Sequence, residues 1–421
     1  MRKIKNALIL AGGDSTRFWP LEEKSLYQFL GKPLLLYQVE QLAQYTEKIT
    51  VVASATNVAS ITRLLRNSPG SSRYLVVGQK DPDGQAGAVL SAKNLLDGEV
   101  VIVNANDLVD FSILEKIANR NDVKDRLVLF GKKISQYFPG GYFKFSQAGD
   151  VREVVEKPGE GNEPSNITKL VVDYFSDIKL LLNALEGAKT DKDNRYEVAL
   201  NSLLSSGMAR DYFVYDGYWQ SLKYPWHVLS MMGLFLSMIK KKKISAKATI
   251  SNKALISGDV IIEDGVRIGD FVKIVGPSYI GENSVVGDYT LVRESHIGAD
   301  CLIGSYSEVA RSHVGNKVFL HRNYVGDSVL ADGSLMGAQA VTANFRFDGK
   351  SVASSVGQTK VDSNLHKFGA IVGRNSKIGV NSTILPGIKI GRNTFIAPSH
   401  SIAEDVSDDS FVRKGVFKNK Q

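Results

Sequence analysis

Through the first 240 residues, short apolar runs alternate with mixed stretches. Residues 8–11, 49–53, 75–77, 100–103 and 127–130 read as buried strands, and 33–45 and 85–96 as helices between them. Alternating β and α elements predict an α/β fold with a mostly parallel sheet covered by helices. Ligands of such sheets bind at the carboxyl ends of the strands, which draws attention to the loops after Leu10 and Val103.

After residue 245 the period changes. Aliphatic residues recur every six positions at Ile250, Ile256, Ile262, Ile268, Ile274, Ile280, Val286 and Val292. The pattern slips by one residue, runs on through Ile297, Ile303, Val309, Val314, Leu320 and Val325, and returns from Val372 to Ile402. Gly often follows the aliphatic residue, as at 269, 281, 298, 326, 373 and 391. An α-helix turns 600° in six residues and would scatter these side chains, so a parallel β-helix of hexapeptide coils is expected, each aliphatic residue stacking on the next coil. Gly suits a corner that a Cβ would crowd. Residues 343–369 break the repeat and must leave the coil as an arm or loop. The expected domains are residues 1–240 and 241–421.

At 421 residues the chain is long enough for two cores. The single Cys301 excludes a disulfide framework and a Cys-cluster metal site. A net charge of +8 suits anionic substrates such as nucleotides or coenzyme A. Basic residues bunch only at Lys240 to Lys243, a linker position, so nucleic acid is not an expected partner. No apolar run approaches the roughly 20 residues that span a bilayer. The N-terminal apolar run is short and ends in Gly12 and Gly13, which reads as a strand entering a loop. A cytoplasmic protein with no membrane partner is expected.

The run Leu10-Ala-Gly-Gly-Asp-Ser-Thr-Arg17-Phe-Trp-Pro-Leu-Glu-Glu-Lys24, followed by Gly31-Lys32-Pro33, resembles the signature of sugar-phosphate nucleotidyltransferases. A strand leading into a Gly-rich loop lets backbone N–H groups approach phosphate oxygens. The resemblance makes Gly12 and Gly13 substrate-binding, and Arg17 and Lys24 the catalytic cations facing the triphosphate and departing pyrophosphate. It places Gln79, Gly84 and Gln85 at the base-reading segment and Asn106 or Asp107 at the Mg²⁺ ligand. Gly141 and the Val-Glu156-Lys157-Pro motif fall at the sugar-phosphate contacts. Ser15 stands where the family usually has Gly, a residue better suited to φ > 0, and Lys169 where many relatives carry a sugar-binding Asn.

Further on, His321-Arg-Asn-Tyr324-Val-Gly-Asp-Ser328 and Thr342-Ala-Asn344-Phe-Arg-Phe-Asp-Gly-Lys350 resemble the acetyltransferase half of archaeal-type bifunctional sugar-1-phosphate enzymes. That resemblance spans nearly the whole chain. It implies a Rossmann-like nucleotidyltransferase domain followed by a left-handed β-helix. It also implies acetyl-CoA as donor and a homotrimer. His321 is the expected general base toward the amine, with Tyr324, Asn344 and Lys350 holding the sugar phosphate. His296, His313, His366 and His400 have no such company and read as surface or core residues.

The reading is a bifunctional enzyme: nucleotidyl transfer from UTP or dTTP to a sugar 1-phosphate, and N-acetylation of glucosamine 1-phosphate. Two alternatives stand beside it. One is a mannose- or glucose-1-phosphate nucleotidyltransferase whose β-helix only oligomerises, suggested by Arg17-Phe-Trp-Pro. The other is a non-catalytic regulatory subunit.

Overall fold

The computed structural model describes residues 2–80, 83–119, 126–206, 209–413 and 416–419. The chain divides into two compact units, Met1–Asp14 with Leu34–Trp219 and Ser15–Pro33 with Gln220–Gln421.

The first unit is a sheet with helices. In chain order it runs β1 (Ile4–Ala11), α1 (Leu34–Tyr45), β2 (Thr46–Ala53), α2 (Val58–Arg66), β3 (Tyr74–Gly78), α3 (Gly84–Ser91), β4 (Val100–Asn104) and β5 (Asp107–Val109). Then come β6 (Arg126–Lys133), β7 (Gly141–Phe145), β8 (Val151–Glu156), β9 (Ile167–Phe175), α4 (Ile178–Gly187), α5 (Arg195–Ser205) and β10 (Ala209–Val214). Aliphatic and β-branched runs make the central strands, and Leu34, Leu35, Val39 and Leu42 set α1's buried stripe at helical spacing. Asp177 caps α4 by accepting from Lys179 N at 3.0 Å.

The sheet order is β8-β7-β9-β4-β1-β2-β3, with β6 on β9 and β10 on β6. Pairing is parallel from β4 through β3, but β9 runs antiparallel to β4, β6 and β7. The expectation of a mostly parallel sheet therefore gives way to a mixed one. From β6 through β9 the strands follow one another without a crossover helix, so reversal by turns is the available connection, whereas β10, reached through α4 and α5, pairs parallel with β6.

The second unit is the left-handed β-helix. Its strands form three parallel faces of eight, ten and eight strands, the second ending in an antiparallel pair. The aliphatic residues named above from Ile262 to Ile402 are buried in one continuous core. The column also runs on through Leu330, Met336 and Thr342, which the sequence pattern left out. Coil length shortens along it. Eighteen residues separate Ile262 from Ile280, seventeen Ile280 from Ile297, and sixteen Val314 from Leu330. The one-residue slip in the sequence is this shortening. At Gly298 a Cβ would fall 2.6 Å from the backbone of Gly315, so close approach of the next coil dictates glycine. Residues 353–362 of the interruption fold as a hairpin, Ala353–Val356 on Thr359–Asp362.

One face of the β-helix carries a column of stacked rings. Tyr279, His296 and His313 lie in register on successive coils, with ring centroids 5.0 and 4.3 Å apart. The segment Ser15–Pro33 covers this column. Tyr27 Oη meets His313 Nδ1 at 3.2 Å, and His313 Nε2 lies 2.9 Å from Gln28 O. Phe29 reaches both His313 and Phe235 of α6 (His227–Ser237). Trp19 Nε1 donates to Asp408 Oδ1 at 2.9 Å and its ring lies beneath Lys389 Nζ.

Both stacked imidazoles are buried, so burial chiefly holds them neutral. His313 is lowered to about 4, and His296 lies well below its usual value, also pushed down by His313. A folded pKa below the unfolded value binds fewer protons in the native state. Their stabilisation is therefore complete above the ordinary histidine pKa of about 6.5 and is lost as pH falls toward about 4. The second unit should lose on the order of 2–3 kcal/mol between these limits through His313. Denaturant unfolding at stepped pH checks this, with His313→Gln flattening the dependence.

Candidate functional site

In the first unit the Gly-rich turn follows the carboxyl end of β1. A Cβ on Gly12 would fall 1.9 Å from Gln79 Oε1, so glycine is what lets that side chain cross the turn. Gln79 N donates to Ala53 O at 2.7 Å, and its Nε2 to Gly84 O at 3.2 Å. Gly12, Gln79 and Gly84 thus form one group. Gly13 faces open space. Gln85, on the first turn of α3, has a buried Oε1 with no donor among the described residues. That suits an acceptor that reads an N–H of a base.

Asn106 and Asp107 follow β4. Gln38 fixes this turn, donating to Asn104 O at 2.9 Å and also to Asp107 O. Asp107 is buried. Among the described residues no three His, Cys, Asp or Glu side chains are placed to hold a metal by themselves.

A third group sits where β7, β8 and β9 meet. Gly141 pairs with Glu156, and a Cβ on it would lie 3.0 Å from Val154 Cγ1 and 3.2 Å from Glu156 Oε2. Adjacent strand residues point to opposite faces, yet Lys157 Nζ meets Glu156 Oε1 at 3.2 Å. Lys157 does so by leaving the strand at φ 46°. Lys169 and Asp173 would stand about 13 Å apart in a regular strand. A bulge in β9 against β6 falls between them, and Lys169 Nζ reaches Asp173 Oδ2 at 2.7 Å. Tyr196 Oη donates to the same oxygen at 2.7 Å, and all three residues are buried. Glu197, the next residue on α5, is raised to about 7 by burial and then by Glu156, with Lys169 and Lys157 pulling against it. Lys169 was singled out from sequence by the place it takes from a sugar-binding Asn, whereas its partner Asp173 and the neighbouring Glu197 do not stand out in the sequence alone.

Arg17 and Lys24 lie in the segment that groups with the second unit. Arg17 is exposed on a 3-10 turn, Thr16–Phe18, and Lys24 is buried with Nζ 5.8 Å from the Phe18 ring. Ser15 caps that turn at φ 54°, so it adopts the left-handed conformation without being glycine.

In the β-helix, Asn344 Nδ2 donates to Tyr324 Oη at 3.0 Å and to Asp327 Oδ2 at 2.5 Å. Arg311, one coil below, clamps both oxygens of Asp327 at 2.7 Å, and that pair raises the guanidinium pKa further. Gly326 makes room for this network, since a Cβ there would fall 2.5 Å from Tyr324 Oη and 2.7 Å from Asn344 Nδ2. Arg311 and Asp327 were not singled out from sequence. The signal was a Gly-Asp directly after Tyr324-Val325. His321 sits exposed on the same coil, its backbone N–H held by Asn323 Oδ1. Asn323 is anchored in turn to Gly337 O and Ala340 O at 2.8 Å. Lys350 lies exposed on the arm, with its backbone N–H on Asp348 Oδ1 at 3.2 Å.

Residues 6–222 match the Nucleotidyl transferase family model, 238–355 the GMPPB C-terminal domain, and 369–399 the bacterial transferase hexapeptide. Among curated proteins, the chain is 29% identical over 419 residues to a "Bifunctional protein GlmU" of Methanococcus vannielii, covering 97% of each chain. It is 31% identical to a "Bifunctional sugar-1-phosphate nucleotidylyltransferase/acetyltransferase" of Sulfurisphaera tokodaii, covering 97% of this chain and 99% of that one.

The buried pair in β9 yields a stability test. Lys169→Met leaves the Asp173 carboxylate without its cation and should cost about 3–5 kcal/mol in urea unfolding. Replacing both partners, Lys169→Met with Asp173→Leu, should recover most of that loss.

Proposed function

Because the chain belongs to the nucleotidyl transferase family and to the bifunctional nucleotidylyltransferase/acetyltransferases that match it end to end, we propose two transfers on one chain. The first unit moves a nucleotidyl group from UTP or dTTP to a sugar 1-phosphate. The β-helix N-acetylates glucosamine 1-phosphate from acetyl-CoA. By function the proposed division is residues 1–240 and 241–421, which differs from the compact units in giving Ser15–Pro33 and residues 220–240 to the nucleotidyl half. What carries the acetyl assignment is the Arg311–Asp327–Asn344–Tyr324 network, whose Tyr324 stands three residues after His321.

In nucleotidyl transfer, an oxygen of the sugar 1-phosphate attacks the α-phosphorus and the α–β anhydride bond breaks, releasing pyrophosphate. Such displacement needs positioning and charge neutralisation more than a protein nucleophile. Gly12 and Gly13 present backbone donors to phosphate, and Arg17 and Lys24 neutralise the departing charge. Gln79, Gly84 and Gln85 read the base. Gly141, Glu156 and Lys157 hold the sugar phosphate. Asp107, with Asn106 as the alternative, would hold a Mg²⁺ through a side-chain oxygen. The ion would supply charge neutralisation on the phosphates.

In acetyl transfer, the amine nitrogen attacks the thioester carbonyl, its proton passes to His321 Nε2 or Nδ1, and the C–S bond breaks to release the thiol. Tyr324 and Asn344 orient the sugar, and Lys350 adds charge toward its phosphate. The GMPPB C-terminal match favours a second reading, nucleotidyl transfer alone with the β-helix as an assembly element. No helix among the described residues is long and apolar enough to cross a membrane.

Thiol release from acetyl-CoA with glucosamine 1-phosphate separates the readings. His321→Ala should lower it by about 10²–10⁴-fold while pyrophosphate release persists. Absence of thiol release with every amino-sugar phosphate would leave the second reading. The hexapeptide faces also support a homotrimer, so light scattering should give three times the 46.0 kDa chain mass.

A further inference from the structure

The corner where β7, β8 and β9 meet, beside Gly141, carries a charge that the nucleotidyl step does not use. Asn201 on α5 clamps β8 by accepting from Val154 N at 2.8 Å and donating to Val154 O at 3.0 Å. Glu197 lies one helical turn earlier on the helix that Asn201 holds against β8, and its carboxyl feels the charge of Glu156 at the end of that strand. The remaining charges here are Lys157, just past the end of β8, and Lys169 and Asp173 on β9. At the start of α5, Arg195 is committed to Asp83 at 2.8 Å, and on β8 Glu153 is committed to Lys144 at 3.0 Å.

The pairs cancel. Lys157 answers Glu156, and Lys169 answers Asp173 with its ammonium also donating to Leu170 O. Glu197 has no ion-pair partner among the described residues. Lys169, in the place of a neutral amide, is therefore not a spare cation for an acidic sugar. The uncompensated group is a carboxylate, half-buried beside a second carboxylate. A cation brought by the substrate would relieve that repulsion, whereas a neutral hydroxyl or acetamide would only displace water from it.

We infer that Glu197, with Glu156, is a specificity-determining residue that selects a sugar 1-phosphate carrying a protonated amine. The nucleotidyl step then accepts the amino sugar itself, without waiting for the acetylation at the β-helix. This rests on the nucleotidyl-transfer reading above.

The test compares pyrophosphate release with glucosamine 1-phosphate, glucose 1-phosphate and N-acetylglucosamine 1-phosphate, in the full chain and in Glu197→Gln. Acetyl-CoA is omitted. The ratio of kcat/KM for the amino sugar over glucose should be about tenfold or more at pH 7.5, a difference of about 1.4 kcal/mol. It should fall when the pH drops below about 7, where Glu197 takes up its proton, and Glu197→Gln should abolish both the preference and its pH dependence. Equal use of the three sugars, or a Glu197→Gln loss that is the same for all of them, would overturn the proposal.

Calorimetric binding of the same sugars to an Asn344→Ala, Lys350→Ala chain, whose β-helix site is disabled, distinguishes the two levels. An amino-sugar preference in binding that needs Glu197, without pyrophosphate release, upholds the selectivity and overturns nucleotidyl transfer. Pyrophosphate release without any preference does the reverse.

Discussion

Each coil of the β-helix must satisfy its backbone polar groups on the coil above and below, and this single constraint organises the second unit. Interior positions can then be filled only by side chains that stack on copies of themselves, which is what the aliphatic column from Ile262 to Ile402 does. Corners cannot use the strand ladder, and buried serines close one of them. Ser295 N donates to Ser278 Oγ, Ser312 N to Ser295 Oγ, Ser328 N to Ser312 Oγ and Ala370 N to Ser328 Oγ, at 3.0 to 3.3 Å. Ser278, Ser295, Ser312 and Ser328 each donate in turn to a carbonyl two or three residues earlier on the chain. A buried corner without the hydroxyl would strand an N–H at a cost of about 1–3 kcal/mol.

The candidate acetyl site is built on that scaffold by local exceptions. Where the repeat wants glycine for coil spacing, Gly326 also makes room for Tyr324 and Asn344 to fold over it. Where the repeat is interrupted, Asn344 stands at the root of the arm and is fixed by a carboxylate that Arg311 holds from the coil below. The rigid stack positions these groups, with His321 and Lys350 exposed beside them. The first unit achieves the same end by a bulge and a left-handed lysine, which gather residues that a regular strand would keep apart.

What could be read from sequence divides along the same line. The hexapeptide period was legible because stacking repeats one local rule, and even the coil shortening appeared as a one-residue slip. The parallel half of the sheet was legible in alternating apolar runs, but the antiparallel half was not, since β7, β8 and β9 have no helices between them to announce direction. Motif residues were legible as types at a spacing. Their partners were not, because Asp327 under Asn344, Asp173 under Lys169 and Glu197 beside Glu156 meet only through register and bulge. The grouping of Ser15–Pro33 with the β-helix also left no periodic trace, as it rests on single contacts such as Trp19 on Asp408 and Tyr27 on His313.

The arm has a bearing on how such a protein can change over generations. Strand Val329–Leu330 pairs directly with Ile371–Val372, and Val341–Thr342 with Thr383–Ile384, as though residues 343–369 were absent. The serine ladder crosses the same gap from Ser328 to Ala370. The excursion leaves the stack unbroken and is tied to it at a few buried places, Ser354 Oγ to Gly387 O at 2.7 Å among them, so its exposed turns can lengthen, shorten or be rewritten at little toll while those anchors cannot. The acceptor range of the acyl site is therefore free to drift while the scaffold beneath it is inherited intact.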